Sequence, residues 1–426
     1  MDPWQAELER PTEAFFEVFA RRAGEPEGIR DAVREAVKAL VPRIDWEAYQ
    51  PHVPHGILGL RAAFRLRPLL EDRSSLRLLA TQLHMAAHEG RRAAALQAVP
   101  GSGSWRNLED FIRARRPGLA YGEAQGFERP GPEDFQRLGQ ITAADMANVG
   151  HKGVLADQLG DLCARLDHPR ATGRRLFGLA AWLAATPEDT FWHRRITARL
   201  GEGHSILAEG AEAPSPEGLQ PLVREICDLG LVALMDALAG RVKGGLSRAE
   251  LRAALVLAAA EKVLDARRDL EGKTAWTFVH LATLVRTGAG DPRRWAQAAA
   301  LVNLFPTDEA EGRVGPRLKG AGSPAALREA VLDAEPSEAM GQAQALARIG
   351  HIESVLRALA EAATRNDPAF NHAHQILAVA AAADLLPGLP AFAQEALLVA
   401  LAKNLANSQG SGDLGQRADR AFQATG

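Results

Sequence analysis

The chain has 426 residues, and its 50 Lys and Arg residues against 53 Asp and Glu residues give a net charge of −3. This near balance gives no electrostatic reason to expect nucleic acid or an anionic membrane as a partner. Two cysteines, Cys163 and Cys227, are too few for a disulfide framework or a thiolate zinc site.

The composition restricts the fold class. Apolar residues make up 46% of the chain, and most of them are Ala and Leu. A strand needs alternating β-branched or aromatic residues, and no segment has that pattern convincingly. The sequence therefore predicts an all-α fold of roughly eighteen to twenty helices joined by Gly- and Pro-rich turns.

Capping chemistry marks several helix starts along the chain. Thr186-Pro187 and Asp367-Pro368 each place a cap side chain before a proline, and Ser247 to Glu250 has the pattern of a capping box. The predicted loops are Pro100–Ser104, Pro117–Pro132, Gly210–Gly218 and Thr307–Pro324. None is typical of a long disordered linker. We expect one continuous helical domain over residues 1–426, with a soft division near 210–218.

Four segments share an internal pattern: a histidine near the start of a helix, a turn, and a second Ala/Leu-rich helix. The histidines are His55, His151, His280 and His351. Their partner helices are predicted at Leu76–His88, Gly173–Ala185, Arg294–Leu304 and Pro368–Leu385. The spacing is irregular, which excludes a solenoid of fixed period. The pattern predicts a single body of antiparallel helical hairpins with quasi-repeats around a central pocket.

Each of these four histidines is expected on the apolar stripe of its helix, so the imidazoles could converge at a common centre. Neutral imidazole binds iron, zinc, copper and nickel without adding charge to a dry pocket. A lone histidine on an apolar face is usually a core residue, but four at matching positions favour a metal site. Chance similarity among Ala/Leu-rich helices is the alternative.

Other histidines are weaker candidates. His52, His84 and His374 could add a ligand or orient one by a hydrogen bond. His84 and His88 have the i,i+4 spacing of a two-point metal clip, although His88 also suits a helix C-terminus. His372 lies two residues before His374 and is a comparable candidate.

Three of these segments resemble the questin oxidase-like family. His52-Val-Pro-His55-Gly-Ile-Leu-Gly-Leu-Arg-Ala-Ala is similar to its element "HG-x-I-R-L-x-x-A", and Thr277 to Arg286 is similar to "F-x-H-A-V-T-x-x-x-A-L-R". Gly350 to Ala358, followed downstream by Asp367-Pro368, is similar to "D-E-H-x-I-K" with its later "D-P". Order and chain length also agree.

The resemblance implies a helical enzyme that opens rings of anthraquinone-type polyketides with molecular oxygen. It implies a non-haem iron held by His55, His280 and His351, to which the repeat adds His151. The family tends to have a lysine where this chain has Ser354. An oxygen ligand would then come from elsewhere, or the chain is a degenerate member that binds a product or pigment without turnover.

The expected function is therefore an iron-dependent oxidoreductase of secondary metabolism, acting on a small aromatic polyketide with oxygen and a reductant such as NADPH. Arg61, Arg286 and Arg357 are candidates to orient an acidic or phenolate substrate, and Trp276 to line its pocket. Ion-paired helix faces and core packing are the alternatives for these residues. The alternative function is a HEAT-like helical scaffold or a ligand-binding protein without chemistry.

The sequence also indicates a location. The residues after Met1 lack the basic and apolar regions of a secretory signal. The most apolar stretch, Ile376 to Leu386, is interrupted by Asp384 and is too short to span a bilayer. We expect a cytoplasmic protein with no membrane partner.

Overall fold

The computed structural model describes residues 2–44, 54–89, 99–201, 206–210, 215–266, 269, 271–287, 290–305, 315–368, 370–410 and 412–425. Across these residues the regular structure is helical, with one isolated β-bridge between Ala208 and Ser247 and no strand. The predicted all-α class is confirmed. No helix in these ranges combines the length and the apolar character needed to cross a bilayer.

Packing divides the chain into two compact units. Unit 1 comprises Met1–Asp189, Asp367–Ala373 and Gly412–Gly426, and unit 2 comprises Thr190–Asn366 and His374–Ser411. This division differs from the expected one near 210–218, because the chain first passes between units at Asp189–Thr190. Residues 210–218 lie inside unit 2, and four of them, 211–214, fall outside the described residues.

Unit 1 contains eleven of the described helices. They are α1 (Pro3–Glu9), α2 (Phe15–Ala23), α3 (Gly28–Leu40), α4 (His55–Leu66), α5 (Asp72–His88), α6 (Trp105–Arg113), α7 (Pro117–Gly126), α8 (Pro132–Thr142), α9 (His151–Arg165), α10 (Arg170–Ala184) and α22 (Leu414–Thr425). Helix α4 packs against α5 and α9, and α22 packs against α2 and α5. An aromatic cluster of Trp105, Phe127, Phe135 and Phe177 fills the space among the later helices.

Unit 2 contains the other eleven described helices. They are α11 (Phe191–Leu200), α12 (Pro216–Asp228), α13 (Leu231–Lys243), α14 (Arg248–Asp265), α15 (Trp276–Arg286), α16 (Pro292–Leu304), α17 (Pro324–Leu332), α18 (Pro336–Arg348), α19 (Ile352–Ala363), α20 (His374–Leu385) and α21 (Ala391–Asn407). Helix α21 packs against α14 and α18, and α15 packs against α20. The Lys403 ammonium crosses this core to donate hydrogen bonds to the carbonyls of Val263 and Ala266, at 3.2 and 2.8 Å.

Local signals located some helix starts and misplaced others. The capping box at Ser247 is confirmed, since its Oγ accepts from the Glu250 N–H and the Glu250 carboxylate accepts from the Ser247 N–H. The start predicted at Thr186-Pro187 is wrong: Thr186 donates its hydroxyl hydrogen to the Leu183 carbonyl at 2.7 Å, at the end of α10, and the next helix begins at Phe191.

Two further local predictions are wrong. Asp367-Pro368 opens a turn closed by a hydrogen bond from the Ala373 N–H to the Pro368 carbonyl, and α20 begins only at His374. The stretch from Pro117 to Pro132 contains helix α7 over its first ten residues. Proline occupies the first position of that helix, where its missing N–H costs nothing.

Candidate functional site

Three histidine side chains lie together in unit 1. The ring centroids of His55 and His151 are 5.6 Å apart, and those of His55 and His372 are 5.9 Å apart. The three residues come from separate segments of the chain. His55 and His151 are each only 7% exposed, whereas the His372 side chain is exposed. The cluster therefore combines two buried imidazoles with one that is exposed to solvent.

Helix packing positions the two buried rings. His55 is the first residue of α4 and His151 is the first residue of α9. The two helices are joined by an ion pair between Arg61 Nε and Asp161 Oδ2 at 2.6 Å, in which the Arg61 side chain is buried. Both histidines therefore lie at the N-termini of helices that pack against each other.

The backbone is strained where it delivers the other two rings. Val149 and Gly150, immediately before His151, have φ of 47° and 76°. His372 and Ala373 have φ of 51° and 60°. Left-handed conformations are costly for residues other than glycine, above all for a β-branched one such as Val149. Such strain tends to collect at functional sites.

A buried ion pair fixes the start of α9. The Lys152 ammonium donates to Asp145 Oδ2 at 2.5 Å and to the Thr186 and Pro187 carbonyls at 2.9 and 2.7 Å. Burial lowers the pKa of Lys152, and the Asp145 carboxylate opposes that shift. Because Lys152 follows His151 directly, this network holds the backbone that carries the histidine.

A carboxyl group lies at the start of α4. Glu89 Oε1 accepts from the Gly56 N–H at 2.9 Å, and Glu89 Oε2 is buried without a hydrogen-bond partner among the described residues. Burial raises the pKa of Glu89 to about 8, against hydrogen bonds from the backbone of Gly56 and His55. The site therefore contains a carboxyl group that is mostly protonated at neutral pH.

The other two predicted ligands lie in unit 2. His280 is the fifth residue of α15 rather than near its start, and its Nδ1 is buried with no hydrogen-bond partner in the described part of the chain. Burial, followed by the charge of Arg294, lowers the pKa of His280 to about 4. His351 was expected on an apolar stripe, but it is exposed at the N-cap of α19.

The weaker histidine candidates have other surroundings. His84 stacks on Phe16, with ring centroids 5.2 Å apart, and its Nε2 lies 3.2 Å from Nε2 of His88. In unit 2 the Nδ1 of His374 lies 2.7 Å from the Glu271 carbonyl oxygen, a hydrogen bond in which the ring is the donor. His52 lies outside the described residues.

The predicted substrate-binding residues already have partners. Arg286 pairs with Asp384 at 3.3 Å, and Arg357 pairs with Glu353 at 3.0 Å on the exposed face of α19. Arg61 is the buried link between α4 and α9. Trp276 is 3% exposed, and its ring centroid is 6.4 Å from that of His374. These contacts match the ion-paired and core-packing alternatives.

The donor set of the cluster suits a metal ion, but its arrangement is wider than a bound metal needs. Two imidazoles at about 2.1 Å from one tetrahedrally coordinated metal ion have ring centroids roughly 5.2 Å apart. The observed centroid distances of 5.6 and 5.9 Å are somewhat larger. Within the described ranges, no group of three His, Cys, Asp or Glu side chains is arranged to hold a metal ion.

Sequence reasoning ranked His372 low and missed Glu89. His372 lies in a turn, where no helical periodicity relates it to another residue, and its left-handed φ of 51° leaves no mark in the sequence. Glu89 follows the last residue of α5 and resembles an ordinary polar helix end. The only feature of the sequence that pointed to His372 was its closeness to a second histidine, His374.

Comparisons with known proteins give no relative. No protein-family model matches the chain, and no curated protein or solved structure matches it significantly.

Proposed function

We propose that the protein is a non-haem metal-dependent oxygenase, with iron as the metal, and that His55, His151 and His372 move closer together to hold the metal. The observation that carries this proposal is the meeting of three imidazoles from three distant segments, with centroid distances of 5.6 and 5.9 Å. Imidazole-rich sites suit iron, zinc, copper and nickel. Of the three segments that resemble the questin oxidase-like family, only the one around His55 belongs to this cluster, and its resemblance supports iron and an aromatic polyketide substrate.

The backbone adds support. Two of the three segments contain two consecutive residues in the left-handed region. These are Val149 and Gly150, just before His151, and His372 with Ala373. Such a conformation costs of order 1 kcal/mol or more for a residue other than glycine. Other left-handed residues of the chain, Arg115, Asp167 and Ala334 among them, directly follow helix ends, whereas Val149 and His372 precede helices.

Each residue would have a distinct role. His55 and His151 are buried, so they would exclude water from the inner side of the site. The exposed His372 would leave room for a substrate, and the apolar Phe370, 43% exposed, precedes it by two residues. The Lys152–Asp145 ion pair would keep His151 in place. A bound metal ion would supply activation of molecular oxygen.

Metal content tests this assignment. We expect protein purified without an affinity tag to contain roughly one iron per chain, directly or after anaerobic loading, by inductively coupled plasma mass spectrometry. His372→Asn should lose most of this iron while keeping the left-handed backbone, which asparagine tolerates. Oxygen consumption with anthraquinone substrates should fall in parallel.

His168→Asn is the matched control. His168 is another unit 1 histidine in the left-handed region, with φ of 48°, but its ring contacts Cys163 instead of the cluster. This variant should keep its iron, and so should His351→Ala. Loss of iron in His351→Ala would favour the four-histidine set predicted from the sequence. Iron-free wild-type protein after anaerobic loading would favour the scaffold or the non-catalytic binder.

A further inference from the structure

Arg294 in unit 2 differs from several arginines of that unit that pair with carboxylates. Arg241, Arg286 and Arg293 each pair with a carboxylate. Among the described residues, Arg294 has no ion pair and no hydrogen bond to its guanidinium. Its side chain is half-buried, and burial lowers its pKa. A guanidinium that loses water without gaining a carboxylate is costly to the protein.

The nearby carboxylate is already in use. Asp291, the N-cap of α16, accepts from the Arg293 N–H at 3.0 Å and from the Arg293 guanidinium at 3.1 Å. Two guanidinium groups therefore share one carboxylate at this end of α16, which leaves one positive charge in excess. The helix N-terminus adds to the positive potential there.

His280 lies on α15, which packs against α16, the helix that carries Arg294. The positive charge of Arg294 acts on its ring, and its Nδ1 is buried with no hydrogen-bond partner in the described part of the chain. A buried ring nitrogen without a partner has lost its hydrogen bond to water and gained none in return. Such an atom in a folded protein calls for an explanation, and a bound ligand is one.

We propose that Arg294 and His280 bind a carboxylate ligand in unit 2. The two N–H groups of a guanidinium match the two oxygens of a carboxylate, and a ring N–H at Nδ1 of His280 would donate to one of them. The excess of one positive charge matches a carboxylate monoanion, whereas inorganic phosphate at neutral pH is partly a dianion. This proposal does not depend on the metal site proposed for unit 1.

Binding of benzoate to metal-free protein tests the proposal. We expect saturable binding by saturation-transfer difference NMR, with acetate as a competitor. Arg294→Gln should weaken benzoate binding at least about tenfold, the loss typical of a charge-assisted hydrogen-bonded pair. Arg294→Lys keeps the positive charge but not the paired N–H groups of the guanidinium, so it should give an intermediate loss of benzoate binding. This second variant keeps the test valid if Arg294→Gln does not fold.

Arg328→Gln is the matched control. Arg328 is a partly exposed arginine of α17 that also lacks an ion pair among the described residues. This variant should bind benzoate as the wild type does. Equal losses in Arg328→Gln and Arg294→Gln, or no saturable benzoate binding to the wild type, would overturn the proposal. Tighter binding of inorganic phosphate than of benzoate would overturn the assignment to a carboxylate.

Discussion

Glu89 places an ionisable group where its charge is poorly solvated. Its Oε2 atom is buried without a hydrogen-bond partner among the described residues, and burial raises its pKa from 4.5 to about 8. The folded protein therefore holds a proton on Glu89 at neutral pH, which the unfolded chain releases. Between these two pKa values folding takes up a proton, so stability falls as pH rises.

Replacing Glu89 with glutamine should remove this pH dependence. The amide oxygen can still accept from the Gly56 N–H, and the side chain carries no charge at any pH. We expect Glu89→Gln to match the wild type near pH 4.5. Above that pH the variant should become more stable than the wild type, and the difference in free energy of unfolding should increase up to pH 8, to at most about 5 kcal/mol for a pKa shift of this size. Urea denaturation of chelator-treated protein at pH 5, 7 and 9 measures the difference.

Glu123→Gln controls for the loss of a carboxylate as such. Glu123 is 5% exposed, and its Oε1 accepts from Ser102 Oγ at 2.8 Å and from the Ser104 N–H at 2.7 Å. This substitution replaces a hydrogen-bonded carboxylate and should not stabilise the protein at high pH. A constant stability difference for Glu89→Gln from pH 5 to 9 would show that Glu89 is ionised in the folded state.

The environment of a single residue is difficult to predict from sequence. Arg61, Arg286 and Arg357 follow their histidines at the same spacing, yet one is buried between helices and another is exposed. The spacing fixes the face of a helix, but the partner of each guanidinium depends on what packs there. Arg294, which the sequence showed only as the start of a predicted helix, lacks a carboxylate partner for the same reason.

At the scale of elements, glycine lets α4 approach α5 closely at the start of the helix that carries His55. A Cβ atom on Gly56 would lie 2.6 Å from the Ala86 nitrogen and 2.7 Å from its Cα, both backbone atoms that a side-chain rotation cannot move. A Cβ on Gly59 would meet the end of the Gln82 side chain instead. The contact at Gly56 therefore fixes the separation of the two helices.

Gly56→Ala should destabilise unit 1 by about 1–3 kcal/mol, because α4 must move away from α5. The movement should also displace His55 and lower iron binding. Gly153→Ala is the contrasting change: Gly153 lies in α9 with no atom within 4 Å of a new Cβ. Alanine there should stabilise by about 0.5–1 kcal/mol. Thermal unfolding of these two variants and of a third, Gly59→Ala, tests the order of their stabilities. We expect the stability of Gly59→Ala to lie between the other two.

Helix positions could be predicted from sequence where the signal is local. The box at Ser247 closes within one turn, and the helices predicted at Gly173–Ala185 and Arg294–Leu304 correspond to α10 and α16 with starts two to three residues earlier. The helix start predicted at Asp367 is wrong because the proline that follows it, Pro368, suits a turn as well as a helix start. The meeting of His55, His151 and His372 depends on packing between segments far apart in sequence, which no local pattern encodes.

At the scale of the whole molecule, unit 1 is assembled from distant parts of the chain. Helix α22 packs against α2 and α5 near the opposite end of the sequence. Asp419 accepts two hydrogen bonds from the buried Arg77 guanidinium, at 2.9 and 2.8 Å, and the Phe422 ring lies 6.3 Å from that of Phe19. The last helix therefore neutralises a buried charge and covers part of the aromatic core of unit 1.

Deleting residues 411–426 should expose α2 and α5 and leave the Arg77 guanidinium without this carboxylate. We expect faster hydrogen exchange in peptides from those two helices, while α14, α18 and α21, the packed centre of unit 2, keep their protection. Asp419→Ala, which keeps the helix, should cost about 1–2 kcal/mol, since it removes a carboxylate that pairs with the buried Arg77 guanidinium. Unchanged exchange in α2 and α5 after the deletion would contradict a role for α22 in completing the core.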